Sequence, residues 1–406
     1  MKRLLRIGLN SIIQSLIPIL CWFLLGFTIN ASIVNVFSIT YPIQFVASII
    51  KEIFGTGANI KKEKENNPNA VPSGIVLGSL VGAVVFGVIC SLVTPYLKFM
   101  SMEVEIYKTF VLFSFIQMYI SLVFQLIIEK LYFEDKDKSA TIYTIIFNVI
   151  NLAMLVGTSL ITKNQIVIIV VTLVVLSIFT LGVLFSQFTK FKLDFNILTN
   201  FKYESNELVA EIFLFIIYFF GLSNVFSAGE QYLIAINFVT LVTDTQWDAC
   251  YAMSIVSKID TTNNNFNIKK HFRNGLLFIC LLALSSLIAF FALFNLYNVN
   301  LKIGLCFLTL QLTDFFLASA YYILGPYIQL KHSAFKNTTC ETFAYACKGL
   351  IAMFLPTVFR LDIAQLTAST ISIIFYIIIF AKYFKVNKDG TILNKPKKEK
   401  QNPENK

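Results

Sequence analysis

Carboxylates and ammonium groups inside long apolar runs are the side chains here with chemistry to offer. Asp244 and Asp248 stand four residues apart in the run 231–255, which places both carboxylates on one face of a helix. Asp314 lies about twelve residues into the run 302–324, hence ~18 Å deep at 1.5 Å per residue. Lys348 is held between apolar neighbours in Ala346-Cys347-Lys348-Gly349-Leu350. A charge near the centre of a bilayer costs about 2.5–3.5 kcal/mol on insertion scales, so such a group faces a partner or a wet hollow. A carboxyl withdrawn from water can take up and release H⁺, or bind Na⁺ once ionised. Asp248 and Lys348 fall at similar depths, so an ion pair between them is geometrically open, either for coupling or simply to hold helices together. Glu207 and Glu211 open their apolar run, where acids suit a helix N-terminus. Lys51 and Glu52 close theirs and are expected to snorkel to the interface.

The elements that carry these groups are twelve apolar stretches at 7–29, 31–54, 74–97, 107–130, 140–161, 165–188, 206–226, 231–255, 275–298, 302–324, 341–360 and 363–384. About 20 apolar residues span a ~30 Å hydrocarbon core as a helix. Of the 406 residues 56% are hydrophobic and 14% charged, with mean hydropathy +0.72; soluble domains carry about 25% charged residues. The net charge of +10 is explained by topology rather than by nucleic acid. With the N-terminus in the cytoplasm, 26 of the 33 Lys and Arg fall on the cytoplasmic side, five on the other side, and Lys51 and Lys348 within helices. This positive-inside asymmetry predicts a multi-pass protein of the cell membrane, a bacterial plasma membrane, with both termini cytoplasmic.

The predicted architecture is an all-α membrane protein of twelve transmembrane helices in two pseudo-symmetric six-helix bundles. Its divisions are an N-terminal bundle at 1–190, a cytoplasmic linker at 191–205, a C-terminal bundle at 206–384 and a basic cytoplasmic tail at 385–406. The halves match at offsets of 199 to 202 residues: Gly74 with Gly275, Gln44-Phe45 with Gln246-Trp247, and Asn151-Leu152-Ala153-Met154 with Leu350-Ile351-Ala352-Met353. Two halves of even span count are related by an axis along the membrane normal and enclose a cleft between them. Its expected first-half lining is Gln14, Asn35, Tyr41, Gln44, Asn148 and Asn151, with Gln117 beside them. Gln246 and Trp247 line it from the second half. Tyr41, Phe45, Trp247 and Tyr251 could stack on a flat or cationic ligand. The intramembrane acids are all expected in the second half, and Lys348 as the one deep cation. Pro42, Pro326 and Pro356 mark bends, with Pro326 placed after its helix and Pro356 within one.

This layout resembles the multidrug and toxic compound extrusion (MATE) family, within a superfamily that also holds flippases for lipid-linked oligosaccharides. The resemblance runs from about Ile7 to Phe384. It is carried by Gly55-Thr56-Gly57-Ala58-Asn59 after the second segment, by Asp135 to Ala140 leading to Asn148 and Asn151, and by Thr313-Asp314-Phe315 with Ala318-Ser319-Ala320 and Gly325. The family's acid in the first segment is absent, Gly221 stands near where a seventh-segment acid would fall, and the turn at 135–140 lacks the usual Gly and Pro. The resemblance therefore implies ion-binding chemistry at Asp314 alone.

An enzyme is disfavoured. His271 and His332 fall in expected cytoplasmic loops without a carboxylate at metal spacing, no phosphate-binding lysine loop occurs, and the seven cysteines match no metal signature. No cofactor is expected beyond H⁺ or Na⁺ as coupling ion. The reading is an ion-coupled monomeric exporter of a small organic solute, in contact with membrane lipid and not with nucleic acid. Asp314, Asp244, Asp248 and Lys348 would couple the ion. A flippase is the alternative, and a membrane-embedded enzyme or a non-transporting immunity or scaffold protein is further off.

Overall fold

The computed structural model describes residues 2–29, 33, 35–100, 102–187, 192–196, 198–225, 230–295, 299–332, 334–355 and 357–394. The first half contains α1 (Lys2–Thr28), α2 (Asn35–Lys51), α4 (Ala70–Ser91), α6 (Val104–Phe133), α7 (Asp137–Ile161) and α8 (Gln165–Gln187) as its long helices. A π-helical turn, Glu52–Thr56, joins α2 to a short α3 (Gly57–Glu65), and α5 (Val93–Phe99) precedes α6. The second half contains α9 (Leu198–Val225), α10 (Glu230–Thr262), α11 (Ile268–Leu293), α12 (Leu301–Lys331), α13 (Ala334–Phe354) and α14 (Arg360–Tyr383).

The halves repeat one packing plan. In the first, α1 packs on α7, α2 and α4 on α6, and α8 on α6 and α7. In the second, α9 packs on α13, α10 and α11 on α12, and α14 on α12 and α13. The halves meet through α1 on α10 and α2 on α9, the crossing that a two-fold pseudo-axis demands.

Eight of the described helices are long and apolar enough to cross a membrane: α1, α4, α6, α7, α8, α11, α12 and α14. Their outward faces carry large apolar side chains such as Val84, Phe185 and Ile288. That surface suits lipid, where every backbone polar group must be satisfied within the helix. Of the other long helices, α2 is 17 residues long, and α9 contributes the shorter apolar stretch Leu208–Phe219. The protein is thus an all-α, multi-pass membrane protein.

Small residues set the closest approaches. A Cβ on Gly74 of α4 would stand 2.3 Å from the carbonyl oxygen of Phe54 and 2.6 Å from the Cβ of Ala58, so α4 lies directly on the π turn. The Gly55-Thr56-Gly57-Ala58-Asn59 run is this buried junction of π and α helix. At the turn before α7, Asp135 itself adopts left-handed backbone at φ 57°, the conformation for which glycine is otherwise preferred.

Both described ends of the chain lie at one end of the molecule, here called the basic end. Arg3 donates to the Tyr132 carbonyl at 2.5 Å and pairs with Asp135 at 2.9 Å. There one apolar core runs through both halves, with Leu4, Ile7, Ile60 and Leu131 of the first joining Val256, Ile259, Phe278 and Ile328 of the second.

Three expectations change. Residues following α14 form a hairpin of β1 (Phe384–Val386) and β2 (Ile392–Asn394). It docks on the start of α11, where Ile268 N–H donates to the Gly390 carbonyl at 3.1 Å. Helix α9 begins at Leu198, inside the stretch expected as linker, and kinks at Glu204 (φ −123°). Pro326 sits inside α12 rather than after it, while Pro356 lies outside the described residues.

Candidate functional site

A cavity of ≈ 360 Å³ opens between the halves. Its first-half wall is built by α1, α2, α6 and α7. Tyr41 and Gln44 reach it from α2, Gln117 from α6, Asn148 and Asn151 from α7. These amides are tied down: Gln117 Nε2 donates to Asn151 Oδ1 at 2.7 Å, and Asn148 Nδ2 to the Thr144 carbonyl at 2.9 Å. Each still offers polar atoms to a ligand, because an amide carries two donors and two lone pairs.

The second-half wall differs in kind. Asp244, Trp247 and Tyr251 of α10 face the cavity, together with Tyr218 of α9, Tyr345 of α13 and Gln365 of α14. Aromatic rings close the seam between the halves. Tyr218 stacks on Phe45 at 5.4 Å and meets Tyr41 edge-on at 5.3 Å. All four rings expected to stack on a ligand, those of Tyr41, Phe45, Trp247 and Tyr251, line the cavity.

Behind this wall lies a buried polar layer. The Lys348 ammonium donates to Gln365 Oε1 and sits 5.5 Å from the Tyr345 ring and 5.9 Å from that of Tyr218. Asp314 is 2% exposed; neither of its carboxyl oxygens has a hydrogen-bond partner among the described residues, although Ser369, Gln365 and Lys348 surround it. It does not line the cavity, whereas its neighbour Gln365 does. Asp362, at the start of α14, accepts from Gln311 Nε2 at 2.9 Å, and Thr243 donates to Gln311 Oε1 at 2.5 Å.

The cavity thus gathers Tyr41, Gln44, Asn148, Asn151, Trp247 and Asp244, with Asp314 and Lys348 one layer behind. Gln246 is elsewhere: it is fully buried and its Nε2 donates to Ser286 Oγ of α11 at 2.7 Å. One residue's rotation on α10 turns it away from the cavity that Trp247 lines. The side chains of Gln14, Asn35, Glu207 and Asp248 lie outside the described residues, and with them the proposed Asp248–Lys348 pair.

Sequence reasoning missed the other charged groups. Lys51 and Glu52 do not snorkel. Lys51 lies 3.9 Å from the Tyr251 ring centre and lines the cavity, and Glu52 is 3% exposed. The buried acids are not confined to the second half, since Glu129 of α6 is buried as well. Lys348 is not the sole deep cation. Lys258, which follows the apolar run 231–255, belongs to α10, is 1% exposed, and bridges Glu52 (3.1 Å) and Glu204 (2.9 Å). These groups stand near the ends of apolar runs, where the sequence permits an exit to water; only the packing of α9 and α10 over them closes it. His271 likewise belongs to α11, with Nε2 3.1 Å from Asp260 Oδ2. Among the described residues no cluster of His, Cys, Asp and Glu could hold a metal ion.

No family model matches the sequence, and no curated protein matches it. Solved structures do. A MOP superfamily transporter from Pyrococcus furiosus superposes with TM-score 0.69 at 14% identity, over 94% of this chain and 94% of that one. A MATE transporter of Vibrio cholerae superposes with TM-score 0.68 at 13% identity, over 94% and 97%. The chain has the MATE fold. An outward-facing multidrug resistance MATE family transporter gives TM-score 0.68 at 13% identity, over 94% and 95% of the two chains. The MATE fold covers both halves and so places the cavity on the seam between two repeats.

Proposed function

We propose that this chain is a secondary active transporter that exports a small organic solute across the cell membrane by alternating access. The observation that carries the reading is the cavity on the seam of the MATE fold, walled by amides, aromatic rings and Lys51 from the first half and by aromatic rings, Asp244 and Glu211 from the second. Its ≈ 360 Å³ lies within the range that holds drug-sized ligands, and is small for a lipid-linked glycan. Tyr218, Trp247 and Tyr251 offer ring faces to a cationic or flat solute, and Asp244 offers a charge.

Coupling to H⁺ or Na⁺ is assigned to Asp314, with Asp244 in support. A cation reaching Asp314 would compete with the Lys348 ammonium, and a freed Lys348 changes the charge beside Tyr218 and Gln365 in the cavity wall. Asp248 remains a candidate by its spacing from Asp244. The energy suffices: one charge crossing about 100 mV supplies ~2.3 kcal/mol, and each tenfold gradient of a neutral solute costs ~1.4 kcal/mol. One ion per cycle would sustain roughly a 40-fold gradient. The basic end is then the cytoplasmic end, in keeping with the positive-inside pattern.

The test is Asp314→Asn in everted vesicles. It should abolish efflux of cationic dyes driven by ΔpH or ΔpNa while leaving the amount of folded protein in the membrane unchanged. Unaltered ion-driven efflux by that variant would refute the role.

A further inference from the structure

Among the described residues three charged side chains line the cavity: Lys51 from the first half, and Glu211 and Asp244 from the second. Glu211 has the Lys348 ammonium as a neighbour behind the wall. Lys51 is different. It is 9% exposed, and its one ion-pair contact among the described residues, Glu52 Oε1, is 3.7 Å away, beyond hydrogen-bond reach. Lys258 already donates to the other oxygen of Glu52 at 3.1 Å. The Lys51 ammonium instead stands 3.9 Å from the centre of the Tyr251 ring. Glu52 and Glu129, the carboxyl groups beside it, do not line the cavity, so a group entering from the cavity reaches the ammonium first.

One helix spaces the opposite charges. Asp244, Trp247 and Tyr251 stand at i, i+3 and i+7 on α10, hence on one face, and all three line the cavity. Seven residues at 1.5 Å each are about 10 Å along the axis. Lys51 lies over Tyr251, the end of this row nearer the basic end. The wall therefore runs ammonium, Tyr251 ring, Trp247 ring, carboxylate. A solute that is only cationic answers the carboxylate and leaves the three donors of Lys51 idle. Excluding water from a charged group without replacing its hydrogen bonds is costly.

We propose that Lys51 is an anion subsite of the cavity and that the solute is a zwitterion. Its carboxylate or other oxyanion accepts from Lys51 Nζ, its flat body lies along Tyr251 and Trp247, and its cationic group meets Asp244. Hydrogen bonds between charged groups are roughly twice as strong as neutral ones, so Lys51 selects for the oxyanion. This assignment rests on the reading of the cavity as a solute site and not on ion coupling.

The test is equilibrium binding to the full-length protein in lipid nanodiscs, with no ion gradient and with the signal of empty nanodiscs subtracted. The probes are a rhodamine with a free carboxylate, a zwitterion at neutral pH, and its methyl ester, a cation with the same rings. Fluorescence polarisation should show the wild type binding the acid at least about tenfold more tightly than the ester, the worth of one charge-assisted hydrogen bond. Lys51→Met should abolish that preference and Lys51→Arg should keep it. Asp244→Asn should weaken both dyes, because both carry the cation. The two dyes on the wild type decide the matter even if no variant folds. Equal affinity, or preference for the ester, would overturn the anion subsite and leave the solute cavity in place. So would a Lys51→Met protein that still prefers the acid. Binding of neither dye would overturn the subsite and the solute cavity together, and an Asp244→Asn protein that binds both dyes as the wild type does would overturn the cationic end. The efflux test on Asp314→Asn reports coupling, so its failure and the failure of this subsite are separate outcomes.

Discussion

In the first half α2 packs on α6 and α1 on α7; in the second α10 packs on α12 and α9 on α13. The backbone plan is shared, and the interior chemistry is not. Where the first half sets Asn148 against the cavity, the position 200 residues later is Lys348, buried behind the wall and bonded to Gln365. At the cavity the first half offers amides that can hydrogen-bond a solute without changing charge, beside the Lys51 ammonium. The second offers Asp244, Asp314 and Asp362, which can change charge. The difference teaches that packing plan and polar chemistry are separable in a duplicated bundle. Small and apolar residues keep the repeat, while the few polar positions facing the seam are free to differ in charge.

The largest effect that would test this division is at the joint between the halves. Lys258→Met removes the ammonium that bridges the buried Glu52 and Glu204 and leaves Glu52 with Lys51, and breaking a buried ion cluster from one side costs about 3–5 kcal/mol. The thermal midpoint of the purified protein should fall sharply, and the triple change Glu52→Gln, Lys258→Met, Glu204→Gln should recover most of the loss. A Lys258→Met protein as stable as the wild type would show that the halves are not joined there.

The equivalent glycines come next. A Cβ on Gly74 meets the Phe54 carbonyl of the π turn at 2.3 Å, whereas one on Gly275 meets Met253 Sδ at 2.8 Å and Ile323 Cδ1 at 2.9 Å, both flexible side-chain ends. Gly74→Ala should therefore destabilise by about 1–3 kcal/mol, the range for forced overpacking, and Gly275→Ala by distinctly less. Equal midpoints for the two variants would mean that the halves pack alike at this contact after all.

Smaller still is the amide pair. Asn151→Ala removes the acceptor for Gln117 Nε2 and should cost about 0.5–1.5 kcal/mol of stability. It should weaken dye binding while leaving the ion dependence of efflux intact, the reverse of Asp314→Asn. Binding isotherms and efflux under imposed gradients separate the two outcomes.

The smallest effect is in the segment between the halves. The Lys61 ammonium, 2.7 Å away, holds the Asp194 carboxyl below its ordinary range, with help from the Asn196 N–H. A carboxyl depressed on folding contributes stability above its unfolded pKa of about 3.9 and loses it as pH falls through the folded value. Asp194→Asn should lower the melting midpoint slightly at neutral pH, and the gap to the wild type should close in acid. A gap that widened in acid would contradict the tie.

The legible part of the site was the part that had no alternative. Asp314 and Asp244 lie so far inside apolar runs that no side chain could reach water along the helix, and the structure places one beside the cavity and the other behind its wall. Tyr41, Gln44, Asn148, Asn151 and Trp247 were legible because polar and aromatic groups in spanning segments seek the interior. Gln246 was misplaced because adjacent residues on a helix point about 100° apart, and only the position of α11 shows which of Gln246 and Trp247 meets the cavity. Glu52, Glu129 and Lys258 were illegible for a different reason. Each stands near the end of its apolar run, where snorkelling and burial are equally compatible with the local sequence.

What the chain by itself determined is the solvent and the repeat. Runs of about 20 apolar residues fit a bilayer, the basic residues gather on one side, and matched residues recur at a near-constant offset; all three are properties of local composition. What only the tertiary structure decided is which charges share a compartment. Glu52, Glu129, Glu204 and Lys258 come from four separate elements, and their meeting depends on α9 packing on α2 and the π turn and on α10 packing on α1. Local sequence specifies the cost of burying each charge, but the partner that offsets the cost is brought in by the fold.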